Sequence, residues 1–256
     1  MPKYPKTIDI LINDLHYEKD TIGMGNSHVQ LFKDKPWVLK IFHDKEQGHR
    51  EIAILTWLDE QKILVPKVIA VDEDQNYVYL LMTKLEGAMS CDDKMLENPE
   101  MVVDVLAKGI QILQSIDIAS CPFSLTIENR LKIAKKYLDS GEVDINTWDL
   151  DIIQGRFQTP EELYHYLVNH QPKEDLVFVH GDYCLPNIFI HHDQLSGFID
   201  VGLAGIADKH VDIALCLRSM KYNFGTADYQ ARFLSKFDFD IDQSIIDYYL
   251  LLDELF

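Results

Sequence analysis

The chain has 256 residues, 47% apolar and 26% charged, which suffices for one large domain or two unequal lobes and excludes an intrinsically disordered chain. Acidic residues outnumber basic ones 42 to 24 for a formal charge of −18, so a nucleic-acid backbone is repelled, and no basic, aromatic-interleaved stripe offsets this. A polycationic small molecule would instead be steered towards the surface, although acidity also serves solubility alone. The four widely spaced cysteines form neither a zinc pattern nor a disulfide framework. With no signal-peptide core at the N-terminus and no run able to span a bilayer, the expected setting is cytoplasmic, with reduced thiols.

In chain order, residues 1–85 read as β-rich with one helix. Gly23-Met24-Gly25-Asn26-Ser27 is a turn between extended stretches, and His28 to Phe32 and Trp37 to Phe42 read as strands. A small-residue turn over a strand pair can lay backbone N–H groups against phosphates, but a lone G-x-G is also met in plain hairpins. Lys40 lies inside the apolar strand, where an ammonium needs an exposed edge or an anionic partner. Glu51, on a helix predicted over His49 to Leu58, is a candidate for that partner; two independent surface charges are the alternative. Val68 to Val71 and Tyr77 to Met82 form a second hairpin. The pattern then turns from strands to helices, so the expected lobes are 1–85 and 86–256.

Glu100 to Asp117 is a strongly amphipathic helix and Glu128 to Leu138 a second one. The stretch 143–157 is acidic and irregular. Thr159-Pro160-Glu161-Glu162 is a capping box opening a helix through His170. Ala207 to Met220, Thr226 to Phe237 and Asp242 to Leu255 read as three further helices. Two carboxylates and the chain terminus fall together in Asp253-Glu254-Leu255-Phe256, either as a solvated tail or as a cluster for cationic amines.

The chemistry concentrates in LVFVHGDYCLPN, from Leu176 to Asn187, and in the strands that follow. Val177 to Val179 leads to a loop carrying Asp182. Ile188 to Ile190 and Gly197 to Ile199 then pair across the turn His192-Asp193-Gln194. Such a hairpin sets Asn187, where one strand starts, beside Asp200, where the other ends. Two oxygen donors beside a separate carboxylate suit Mg²⁺ held against phosphate, with Asp182 left to take a proton from a hydroxyl. The spacing H-G-D-x-x-x-x-N is that of kinase catalytic loops, with Gly181 where protein kinases carry Arg.

LVFVHGDYCLPN, SGFIDVGLAGIADKHVDIAL, ILVPKV, TPEELY and the terminal LLDELF together resemble the bacterial aminoglycoside 3′-phosphotransferases over nearly the whole chain. The resemblance implies an α+β, two-lobed protein-kinase-like fold, with a β-rich N-terminal lobe and a mainly helical C-terminal lobe. It implies ATP and Mg²⁺ as cofactors and kanamycin- and neomycin-type antibiotics as substrates, phosphorylated on the 3′-hydroxyl, with drug resistance as the outcome. By position, Asp182 would be the catalytic base and Asn187 and Asp200 the metal ligands. Lys40, supported by Glu51, would hold nucleotide phosphates under the loop containing Ser27. Thr83 and Leu85 would present backbone groups to adenine, with Met82 just behind. Asp149, Asp151, Asp253, Glu254 and the Phe256 carboxylate would bind drug amines. His180 would orient the loop and Asp212 would brace it. Two departures are evident: Leu203 stands where relatives carry Arg, and Val38 where some place an aromatic ring against adenine.

The expected protein is a monomer or weak homodimer that binds neither nucleic acid nor membrane. Two rival readings remain: a kinase-fold enzyme for another hydroxyl compound, such as a macrolide or amino alcohol, and a homologue that binds nucleotide or drug but transfers poorly because of Leu203. A protein-substrate kinase is disfavoured, because no activation segment fits between Asp200 and Ala207.

Overall fold

The computed structural model describes residues 4–19 and 27–256, and the turn residues Gly23, Met24, Gly25 and Asn26 lie outside them. In chain order the elements are α1 (Lys6–Ile12), β1 (Tyr17–Lys19), β2 (His28–Phe32), β3 (Trp37–Phe42), α2 (Lys45–Glu60), β4 (Val68–Glu73), β5 (Val78–Thr83), β6 (Ala88–Met89), α3 (Asp93–Leu96) and α4 (Pro99–Gln114). There follow α5 (Ile127–Ser140), α6 (Leu150–Ile153), α7 (Pro160–Asn169), β7 (Leu176–Val179), β8 (Ile188–His191), β9 (Gln194–Phe198), β10 (Gly205–Asp208), α8 (Val211–Phe224), α9 (Gln230–Leu234) and α10 (Gln243–Asp253). They form two compact units, Met1–Met89 with Asn187–Gly202, and Ser90–Pro186 with Leu203–Phe256. The sequence drew one cut after Leu85; the hairpin carrying Asn187 and Asp200 groups instead with the N-terminal unit.

The first unit is built on a five-stranded sheet in the order β1-β2-β3-β5-β4, paired antiparallel throughout. Its central strands, WVLKIF and VYLLMT, are buried almost end to end, as strands covered on both faces must be. Asp44 caps α2 by accepting the N–H groups of Glu46 (2.9 Å) and Gln47 (3.2 Å), and the helix buries Ile54, Leu55, Leu58 and also Glu51. The sequence expected one helix here; α1 is a second. Its Ile8 and Ile12 join Tyr4, Phe32, Leu39 and Leu81 in one core cluster, but seven residues, with the exposed Ile10 breaking the spacing, give too short a pattern to read as helical. In the hairpin, Ile188 faces Phe198 and Phe189 faces Gly197 before a bulge shifts the register. His192 and Asp193 both have positive φ, 50° and 60°, as a two-residue type I′ turn requires.

The second unit is mainly helical. α4 buries Val102, Val103, Leu106, Ile110 and Leu113 along one side. Thr159 caps α7 through the Glu162 N–H (3.2 Å), and the Glu162 carboxylate reaches back to the Gln158 N–H (2.8 Å). The stretch read as irregular, 143–157, contains the single turn α6, capped where Asp149 accepts the Asp151 N–H (2.9 Å). Residues 207–220 are not one helix. Gly205–Asp208 pairs antiparallel with β7, because the β7 edge needs backbone partners, and this outweighs the local helix preference. Asp208 then ends the strand by accepting the N–H groups of Asp175 (2.6 Å) and His210 (2.9 Å). Likewise 226–237 holds only the five-residue α9. All four cysteines are free thiols, and no helix among the described residues is long and apolar enough to cross a membrane.

Leu39 is fully buried in β3, one residue from Lys40. Leu39→Ala is expected to lower unfolding stability by about 2–5 kcal/mol, read as a reduced urea midpoint with unchanged slope.

Candidate active site

The residues singled out from the sequence fall into two groups, one in each unit. In the first, the ammonium of Lys40 is buried on β3 and lies 2.9 and 2.8 Å from the two carboxylate oxygens of Glu51 on α2. It also bonds Asp200. Burial works to lower the Lys40 pKa, but the Glu51 and Asp200 charges more than offset it, and the pKa lies above the ordinary lysine value. Asp200 has φ 59°, a sparsely populated conformation for a non-glycine residue. The chain just after it is fixed by Arg50, whose Nε donates to the Gly202 carbonyl (2.9 Å). A Cβ at Gly202 would sit 3.3 Å from the Glu51 carboxylate, so the small residue gives that carboxylate room.

The hairpin continues one step beyond its strands, with the Ile199 N–H donating to the Asn187 carbonyl (3.0 Å). Asn187 thus lies beside the segment leading into Asp200. An amide oxygen and a carboxylate are donors of the kind Mg²⁺ takes, since that ion uses one or two protein oxygens together with water and phosphate. The donor set therefore fits the metal. Ser27 immediately precedes β2. Met82 is buried on β5 opposite Val38, and Thr83 ends that strand. The Thr83 N–H already donates to the Lys67 carbonyl (2.9 Å), so this group is not free for an adenine edge. Leu85 is half-buried just beyond.

In the second unit the loop after β7 is pinned at many points. Asp212, fully buried in the first turn of α8, accepts the N–H groups of His180 (2.7 Å) and Gly181 (3.0 Å). Burial pushes the Asp212 carboxyl up to about 6, against the favourable His180 charge and these hydrogen bonds; Asp182 adds to the rise. His180 Nδ1 accepts the Asp182 N–H (3.3 Å). The buried Tyr183 hydroxyl donates to the Leu106 carbonyl (2.8 Å), Ser90 to the Leu185 carbonyl (2.8 Å), and the Leu185 N–H to Ser219 (2.9 Å). Gly181 has φ 82°, and a Cβ there would lie 2.4 Å from the Leu203 carbonyl oxygen, so no other residue fits. Leu203 itself is exposed.

The C-terminal cluster is not a solvated tail. Asp253 is clamped by Arg130 (2.9 Å) and Arg218. Burial would raise its pKa, but the two guanidinium groups hold it below the usual carboxylate range. Glu254 is buried: its carboxylate accepts the Asp149 N–H (2.7 Å) and its carbonyl the Trp148 indole N–H (2.8 Å), while burial raises its pKa. The Phe256 ring packs on Tyr137 and lies 4.9 Å from the Arg130 guanidinium. Arg218 extends the cluster by joining Asp149, Asp151, Lys221 and Asp247 in the walls of a cavity of about 250 Å³. Burial opposes the Arg218 charge, but Asp253, Glu254 and, more weakly, Asp182 more than compensate. Neither Arg130 nor Arg218 stood out in the sequence, because each shares its helix with other basic residues, Lys132, Lys135 and Lys136 on α5 and Lys221 on α8.

A profile of the phosphotransferase enzyme family matches residues 19–243. An aminoglycoside 3′-phosphotransferase from Niallia circulans is 37% identical over 97% of this chain and 93% of its own. Another, from Enterococcus faecalis, is 35% identical over 96% of each. Among solved structures, an aminoglycoside-3′-phosphotransferase of type VIII superposes with a TM-score of 0.83 at 25% identity, covering 94% of both chains. A Streptomyces rimosus aminoglycoside phosphotransferase in complex with ADP and streptomycin superposes at 0.77 with 24% identity, which speaks to the fold. The α+β architecture is therefore the protein-kinase-like fold of these enzymes, and the chain belongs to the aminoglycoside 3′-phosphotransferases of the phosphotransferase enzyme family.

Proposed function

We propose that the protein transfers the γ-phosphoryl group of ATP to the 3′-hydroxyl of kanamycin- and neomycin-type aminoglycosides and so confers resistance to them. One observation carries the reading. Arg218 feels the charge of Asp182, pairs with Asp253 and Glu254, and lines a cavity with Asp149 and Asp151, so a base and an acidic drug site belong to one unit. Lys40, oriented by Glu51, binds the nucleotide phosphates. Asn187 and Asp200 hold Mg²⁺, which neutralises phosphate charge when bound. Ser27, at the entry to β2, lies against the phosphates, and Met82, Thr83 and Leu85 border the adenine, with Leu85 contributing a backbone group. An Asp182 carboxylate oxygen accepts the 3′-hydroxyl proton and directs the oxygen in line with the phosphorus. Drug ammonium groups meet Asp149, Asp151, Asp253 and the Phe256 carboxylate, whereas Glu254 acts mainly by holding the Asp149 segment in place. Protein at work in the cytoplasm would meet both ATP and antibiotic there.

Purified protein with Mg²⁺-ATP is expected to release ADP with kanamycin but not with tobramycin, which lacks the 3′-hydroxyl. Equal release with both drugs would move the reaction to another hydroxyl, and none with any aminoglycoside would overturn the reading.

Asp212→Asn replaces one of two acceptors with an NH₂ group that faces a backbone donor, so Asp182 shifts. Turnover is expected to fall about 10²-fold, with ATP affinity retained by the first unit. The pH profile gives a second check. The folded carboxyl, at about 6, holds its proton more tightly than the ordinary value of 3.8, so its stabilising contribution is full below 3.8 and lost as pH rises through about 6. The rate follows the opposite course, because protonation removes an acceptor from the loop. Wild-type turnover should drop as pH falls through about 6, and the Asn variant should lack that step.

A further inference from the structure

We propose that Lys221 is a specificity-determining residue whose ammonium occupies, within the chain itself, a carboxylate position that a substrate amine takes on binding. The inference rests on the aminoglycoside reading above. Lys221 projects from α8 on the same side as Leu217 and Arg218, and all three line the cavity. Its Nζ lies 2.7 Å from Oδ2 of Asp151, a residue of the opposing wall. The hydrogen bond and charge of Asp151, with a further contribution from Asp149, hold the ammonium pKa above the ordinary lysine value.

The three cations of the wall differ in how firmly they are held. Arg218 is committed to Asp253 and Glu254. Arg156 donates to the backbone carbonyls of Ile152 (2.8 Å) and Ile153 (3.4 Å). Lys221 rests on one carboxylate, and the two side chains are 54% and 75% exposed. An ion pair this open is weak and exchanges readily. An incoming primary ammonium is the same chemical group as the lysine head, so it competes for Asp151 on equal terms. With Lys221 in place the six charged residues of the wall balance, Asp149, Asp151 and Asp247 against Arg156, Arg218 and Lys221; without it the wall is net negative. Lys221 thus penalises ligands with few amines, which cannot repay its displacement, relative to those with many.

The test is calorimetric binding of neamine at low salt to wild type, Lys221→Gln, Asp151→Asn and the double variant. Lys135→Gln serves as a charge control, since it removes the same charge from an exposed pair with Asp139 on α5. Lys221→Gln is expected to tighten binding about two- to fivefold, the range of an exposed ion pair. The gain should shrink at high salt and vanish in the Asp151→Asn background, and Lys135→Gln should leave affinity unchanged. Equal tightening in both backgrounds, or with Lys135→Gln, would reduce the effect to bulk charge and overturn the proposal. Unchanged or weaker binding by Lys221→Gln, in protein whose wild type binds neamine, would overturn it while leaving the proposed function standing. Wild type that neither binds nor phosphorylates neamine would remove both.

Discussion

Asp212 is fully buried in the first turn of α8, and its carboxylate faces the backbone N–H groups of His180 and Gly181. A carboxyl in that position resists ionisation, and its pKa rises to about 6. The helix N-terminus and the two N–H donors nevertheless favour the anion at neutral pH. The stability penalty is offset by what the carboxylate does, since it fixes two successive peptide N–H groups of the loop at once. With these peptide planes fixed, the His180 ring takes the Asp182 N–H and Tyr183 anchors to α4, so the Asp182 backbone is held from both sides. Gly181 follows from the same constraint, since the peptide turns with positive φ against the Leu203 carbonyl and leaves no room for a Cβ. The Leu203 main chain thus shapes the loop even though its side chain points to solvent.

The first unit handles its buried charge differently. Lys40 keeps its proton because Glu51 and Asp200 surround it, and neither carboxylate would be tolerable so close without the ammonium. The triad is a standing arrangement of charge, with one ammonium shared between two carboxylates. In the second unit the same economy recurs at the chain terminus. Asp253 and Glu254 do not wait unpaired for a cationic ligand; Arg130 and Arg218 already organise them, which keeps the cluster rigid and moderates its charge.

The backbone of this account was legible in the sequence where local pattern and chemistry coincide. The strand containing Lys40, the strand leading into the Asp182 loop and the hairpin joining Asn187 to Asp200 are all short apolar runs bounded by polar turns, which is a strong signal. The strand Gly205–Asp208 was not legible, because its reason for existing is the open edge of β7, some thirty residues upstream in the chain. α1 was missed because it is only seven residues long, too short for its apolar spacing to read as helical. The acidic terminus was visible as charge but not as structure. Its partners, Arg130 and Arg218, lie 123 and 35 residues from Asp253, and no local pattern marks them. Resemblance to known enzymes supplied the substrate, which the residue pattern alone did not.

The central claim is that a rigid loop presents Asp182 to the attacking hydroxyl. It is tested most directly by single-turnover phosphorylation of kanamycin by Asp182→Ala, alongside calorimetric affinities for drug and nucleotide. The account predicts a transfer rate at least ~100-fold slower with both affinities nearly unchanged. A near-normal rate in that variant, with binding intact, would contradict it.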